Sequence, residues 1–183
     1  APFFVRTRNI EMWWMHTVGL LGGSVIGIDL GTTNSALALL TPDDARPELH
    51  TTTPSTVAFL RDRERLVGQE AVDQAARNPE NTIYAAKRFL GRPYAQVAND
   101  AARVGYAVVA DEEGDVLFEC PHLSDPVAPE EVSALVIDSM LESLRAANLP
   151  PVEAAVITVP AYFRETQREA TMAAAALAGL DEI

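Results

Sequence analysis

Two short apolar runs joined by a polar four-residue turn constrain this chain most. Ser24-Val25-Ile26-Gly27-Ile28-Asp29-Leu30 is short and β-branched, the pattern of a buried strand. Gly31-Thr32-Thr33-Asn34 supplies a tight turn, and Ser35 to Leu40 reads as the returning strand of a hairpin. A tip of glycine and small hydroxyl residues lets backbone N–H groups converge on one spot, and such a nest binds an anion such as a phosphate. The two threonines add side-chain donors. Asp29, at the end of a buried strand, is poised to hold a water or a hydrated divalent cation, since Mg²⁺ keeps its waters and takes few protein carboxylates. The alternative is a hairpin with ordinary turn residues.

Composition narrows the field. The 183 residues carry 26 Asp+Glu against 14 Lys+Arg, a net charge of −12. That balance argues against a general nucleic-acid binder, which needs a basic face. With 48% apolar residues the chain can build a core. One cysteine makes neither an intrachain disulfide nor a Cys-rich zinc site, and it fits a cytoplasmic protein. Cys120 reads as a small buried or half-buried apolar residue. His16, His50 and His122 stand far apart, without ligand spacing, and read as surface or loop residues. Arg6 and Arg8 precede an uncharged stretch from Met12 to Ile28 that resembles parts of a secretory signal, yet it is short and Gly-rich and lacks a small-residue cleavage site. Residues 1–23 are therefore expected to be an upstream extension, with Met12 or Met15 as candidate starts, and no membrane association is expected.

Further along, Thr56 to Leu60 reads as a strand and Arg61 to Arg65 as a charged turn. Gln69 to Asn78 reads as a helix with Ala71, Val72, Ala75 and Ala76 on one face, ended by Pro79. A short helix is expected around Thr82 to Leu90, closed by Gly91 and Pro93. Residues 99–127 carry the weakest pattern, a hairpin through Tyr106–Val109 and Val116–Phe118 across an acidic turn. The clearest helix begins at Pro129-Glu130-Glu131, where proline and acids suit the first turn, and its apolar residues keep a 3.6 period to Leu144. Ala154 to Val159 is an almost wholly apolar strand stopped by Pro160. Thr166 to Ala178 reads as an Ala-rich helix with Gly179 just past its end. The order gives an α/β architecture with an inserted α+β section.

Two further stretches carry no chemistry by spacing alone. Lys87 sits in Ala85-Ala86-Lys87-Arg88-Phe89-Leu90-Gly91-Arg92, where a lysine is ordinarily solvated. Val156 to Phe163, with Gln167-Arg168 and Ala170-Thr171, reads as strand, proline stop and packed helix, with Tyr162 and Phe163 in the core.

Taken together and in order, these stretches resemble the nucleotide-binding domain of the 70-kilodalton heat-shock (DnaK-type) chaperones. Ile26 to Ser35 is similar to that family's first phosphate loop, and Thr52 to Phe59 to its next signature. Val67-Gly68-Gln69, Asn78 through Arg92, Pro129 to Val132 and Val156 through Leu180 complete a collinear series over roughly Val25 to Leu180. The first loop alone would also fit sugar kinases and actin-like filament proteins; the Lys87 and Pro160–Arg168 stretches are more specific.

The resemblance implies an actin-like, ribonuclease-H-like ATPase lobe spanning 24–183, with an inserted α+β subdomain at about 60–128. It also implies ATP or ADP with Mg²⁺, and, through further regions, unfolded polypeptide clients and co-chaperones. Carried over by position, Gly31, Thr32, Thr33 and Asn34 would wrap the phosphates. Asp29 would organise Mg²⁺ and its waters, and Lys87 would reach the γ-phosphate and the attacking water. Pro160 and Arg168 match residues that relay nucleotide state. Departures are a shorter loop between Ser35 and Thr52, Arg164-Glu165-Thr166 at the last helix start, Ala128 where a capping Ser is common, and little pattern over 93–128. They suggest a divergent bacterial relative. The family's second phosphate loop, adenosine segment and peptide-binding domain would lie beyond Ile183, so the chain by itself is expected to lack ATP turnover. The competing readings are a stand-alone half-fold interaction or filament-like module, and a sugar kinase.

Overall fold

A computed structural model describes residues 23–180 apart from Ala45 and Pro150. The expected extension at 1–23 therefore lies, except for Gly23, outside the described residues, as does His16.

The first hairpin forms as its pattern predicts. β1 (Ser24–Asp29) and β2 (Asn34–Leu40) pair antiparallel, Val25 opposite Leu40 and Asp29 opposite Ala36. β1 also pairs in parallel with the strand Val152–Thr158, called β9 below because it is ninth in chain order. β3 (Glu48–Pro54) joins the far side of β2, so the sheet runs β3-β2-β1-β9. A parallel pair cannot be closed by a tight turn; here the whole intervening chain makes the crossover. Ile26, Ile28, Leu37 and Ile157 are buried on one face of this sheet. Val25, Leu40 and Ala154 form a smaller cluster through the opposite side chains.

Two helices complete the main layer. The first, Pro129–Ala146, buries Val132, Val136, Ile137, Met140, Leu141 and Leu144 and packs against β2 and β3. The second, Glu165–Leu177, packs on the first and buries Ala170, Thr171, Ala174 and Ala175. Small side chains let the two helices approach closely. Gly179 takes φ +83°, and Leu180 N–H reaches back to the Ala175 carbonyl at 3.1 Å, the left-handed helix stop expected there. At the Pro129 end, Glu131 accepts the Ala128 N–H at 2.8 Å. Alanine has no acceptor to return, so only half of a capping box exists.

In chain order, two smaller sheets form between β3 and the first of these helices. β4 (Thr56–Phe59) is flanked antiparallel by β5 (Arg65–Val67) and β6 (Thr82–Tyr84). β7 (Ala107–Ala110) and β8 (Val116–Glu119) form the expected hairpin. Edge-to-face aromatic contacts tie this region together: Phe89 with Phe118 at 5.4 Å, Tyr106 with Phe118 at 5.3 Å, and Tyr84 with Tyr106 at 5.5 Å. The four α-helices among the described residues are numbered in chain order α1 (Gln69–Gln74), α2 (Tyr94–Ala101), α3 (Pro129–Ala146) and α4 (Glu165–Leu177).

Several sequence expectations are corrected. Thr82–Tyr84 is a strand, because all three of its residues suit a sheet and β4 offers an open edge. Of the helix expected over Thr82 to Leu90, all that forms is a single 3₁₀ turn, Ala86–Arg88, entered through Ala85 at φ 56°. The helix from Gln69 ends at Gln74 and tightens to 3₁₀ over Ala75–Arg77. Of its expected inner face only Ala71 is buried, while Val72 and Ala76 are exposed. β3 and α2 were not expected at all. His50 lies within β3, half-buried, with Nε2 3.1 Å from Ser143 Oγ. Cys120 is buried, as expected.

Candidate functional site

The hairpin tip is closed by a ring of hydrogen bonds. Ser55 Oγ donates to the Gly31 carbonyl at 2.8 Å. Its one proton being used there, Ser55 accepts from Ser35 Oγ at 2.9 Å, and Ser35 Oγ accepts the Gly31 N–H at 3.2 Å. Both serines are buried. Ser55 N–H also donates to the Thr33 carbonyl at 2.8 Å. A Cβ on Gly31 would stand 1.9 Å from the Asn34 carbonyl oxygen, so only glycine fits this turn.

The ring changes the expected division of labour. The Gly31 amide serves the turn itself, not a ligand. Among the described residues the Thr32 and Thr33 amides have no such partner, and Thr33 and Asn34 are exposed. Ser35 and Ser55 are the residues that sequence reasoning left without a role. Both stood inside motifs, but the bond between them spans twenty residues and no local spacing shows it.

The second group gathers at the carboxyl ends of the parallel strands β1 and β9. Asp29, exposed at the end of β1, accepts a hydrogen bond from Thr158 Oγ1 at 3.2 Å. Val159 and Pro160 follow, and Phe163 N–H closes a turn onto the Pro160 carbonyl at 3.0 Å. That turn buries Phe163 to 8% exposure and leaves Tyr162 82% exposed, so Tyr162 is not the core residue expected of it. Lys87 Nζ lies 5.4 Å from the centre of the Phe163 ring.

Lys87 is half-buried rather than solvated. Burial pushes its ammonium below the ordinary lysine pKa, and the nearby Asp29 carboxylate pulls it part of the way back. The two groups share one field without an ion pair inside 4 Å among the described residues. Lys87 is also the only lysine in the chain; the other thirteen Lys+Arg positions are arginines. Pro160 is half-buried beside this cluster. Arg168, half-buried one turn into α4, donates its backbone N–H to Arg164 and makes no ion pair among the described residues.

A metal cage is absent among the described residues, where no three His, Cys, Asp or Glu side chains converge. Asp29 alone offers a hard oxygen ligand, which suits a cation held mainly by water and ligand oxygens. A hollow of about 1150 Å³ lies between Gly91, Arg92, Glu130, Tyr162, Arg164 and Gln167, with no residue of the tip in its wall. Its wall also carries Asp111, Asp115 and Glu165. Those carboxylates stand beside Arg92 and Arg164, so the hollow has no single charge sign. No described helix is long and apolar enough to cross a membrane.

The family model described as Hsp70 protein matches residues 25–183. The chain belongs to the Hsp70 family. It is 49% identical over 163 residues to chaperone protein dnaK3 of Thermosynechococcus vestitus, covering 87% of this chain and 24% of that protein. It is 42% identical over 182 residues to the chloroplastic heat shock 70 kDa protein 7 of Arabidopsis thaliana, covering 96% of this chain and 25% of that protein. Chaperone protein DnaK of Trichormus variabilis is 44% identical over 163 residues, or 87% of this chain and 24% of that protein. The chain thus spans about a quarter of the length of these Hsp70 relatives. Their names do not favour the sugar-kinase or filament-module readings.

Proposed function

We propose that this chain is the first, nucleotide-gripping lobe of a DnaK-type chaperone ATPase, with an actin-like, ribonuclease-H-like main layer over 24–183 and an inserted subdomain at about 60–128. The observation that supports this reading is that Lys87 Nζ lies 5.4 Å from the centre of the Phe163 ring, just past the end of β9 and within the field of Asp29 at the end of β1, which leads into the Gly31–Asn34 turn. A glycine turn, one carboxylate and one desolvated ammonium are the inventory that phosphoryl transfer needs, because that chemistry depends on positioning and charge neutralisation.

In this reading Gly31 shapes the turn, while Thr32, Thr33 and Asn34 present amides and side chains to the phosphates of ATP or ADP. Asp29 is the residue that would hold Mg²⁺ through water, and the ion would neutralise phosphate charge there. Lys87 orients the terminal phosphate and the attacking water. Pro160 and Arg168 lead from this cluster into α4 and relay nucleotide state toward regions that bind unfolded polypeptides and co-chaperones. A reducing, cytoplasm-like compartment suits the lone cysteine. The net charge of −12 opposes ATP, so local donors must offset it.

The test is single-turnover hydrolysis by the full-length protein. Lys87→Ala is expected to slow it by about 10²–10³, the loss typical of one preorganised charge-stabilising donor. An unchanged rate would remove Lys87 from the mechanism.

A further inference from the structure

We propose that Phe163 is a positioning residue for Lys87, its ring face holding the lone ammonium at the mouth of the phosphate turn. The inference rests on the ATPase reading for its purpose, but on geometry for its substance. The ammonium is 5.4 Å from the ring centre, inside the distance at which an aromatic face attracts a cation. The ring itself is fixed: Phe163 is 8% exposed and its N–H is tied to the Pro160 carbonyl at 3.0 Å.

Lys87 has few other restraints. It rides on a one-turn 3₁₀ segment, Ala86–Arg88, entered through a left-handed Ala85. Its flanking cation behaves differently. Arg88 reaches outward to Asp100 at 3.8 Å, with its side chain half exposed. The lysine instead turns inward toward Phe163 and Asp29. Asp29 attracts it without closing to an ion pair, so the ring supplies the second restraint. An ammonium held between a carboxylate and an aromatic face stays charged and aimed, yet keeps its N–H donors free for a phosphate. Locked in a direct ion pair, it would have to break that contact first. The arrangement also couples two segments. Phe163 belongs to the turn that opens at Pro160, so a shift of that turn moves the ring and with it the ammonium.

The chain is suited to a direct test, because carbon-13 lysine labels a single residue. In the wild-type chain the Lys87 ε-CH₂ signal is expected upfield of free lysine, displaced by the ring, with a nuclear Overhauser contact to the Phe163 ring protons. Phe163→Leu is expected to lose the displacement with the fold intact by circular dichroism, whereas Phe163→Tyr keeps it. Absence of the contact in the wild-type chain, or an unmoved signal in a folded Phe163→Leu, overturns the proposal. The wild-type contact decides the matter even if the leucine variant does not fold. Adding Mg-ATP to the full-length protein separates the two readings. A ring-displaced signal that ignores nucleotide would sink the ATPase role of Lys87 and leave the positioning intact.

Discussion

Ser35 Oγ and Ser55 Oγ stand 2.9 Å apart in the interior, and their protons run one way: Ser35 to Ser55, Ser55 to the Gly31 carbonyl. Neither hydroxyl can be dropped without leaving a buried partner bare. Ser55→Ala strands the Gly31 carbonyl and takes the acceptor from Ser35. The expected cost is about 1–3 kcal/mol, read as a lower urea midpoint with an unchanged slope. A variant as stable as wild type would show that water replaces the hydroxyl.

Gly31→Ala tests the turn itself. The added methyl would sit 1.9 Å from the Asn34 oxygen, so the backbone must open. A loss of roughly 2–3 kcal/mol is expected, in the range of buried backbone conflicts. Thermal unfolding checks it, and an unshifted midpoint would mean that the turn relaxes freely.

Lys87 makes stability depend on pH in the direction that burial rather than pairing sets. Burial outweighs the pull of Asp29, so the folded-state pKa lies below the unfolded one. In the alkaline window between the two values the unfolded chain binds more protons, and stability rises with pH. Lys87→Met removes this penalty. The variant should be more stable than wild type at pH 7, with the advantage shrinking as pH climbs toward the ordinary lysine pKa. Urea denaturation at stepped pH checks the sign; a methionine variant less stable at pH 7 would reverse it.

Cys120 should be inert in the folded chain. It is 5% exposed, and burial pushes its thiol up to about 11. A thiol reagent at pH 8 should react only after denaturant is added. Rapid labelling of the native chain would contradict its burial.

Legibility followed the hydrophobic signal. β1, β9 and α3 announced themselves, because strands buried on both faces and long amphipathic helices write their burial into consecutive residues. β3 did not: Glu48-Leu49-His50-Thr51-Thr52-Thr53-Pro54 has no apolar alternation, and Leu49 is 67% exposed at the sheet edge. The Thr82–Leu90 stretch misled because Ala85, Ala86, Lys87 and Arg88 are good helix formers, while the open edge of β4 decided the first three residues. At the site, the turn and Asp29 were visible as a local motif. The Lys87 role enters only by resemblance; Phe163 is buried as its apolar character implies, but no spacing shows that it and Lys87, 76 apart in sequence, will meet.

Parallel pairing of β1 with β9 also sets a timetable. The first strand leaves the ribosome long before residue 152 exists, and at cellular elongation rates the interval is on the order of ten seconds. Throughout that wait one edge of the earliest strand has no native neighbour and invites strangers. A member of a chaperone family thus begins life with the same exposure that unfinished chains present to chaperones.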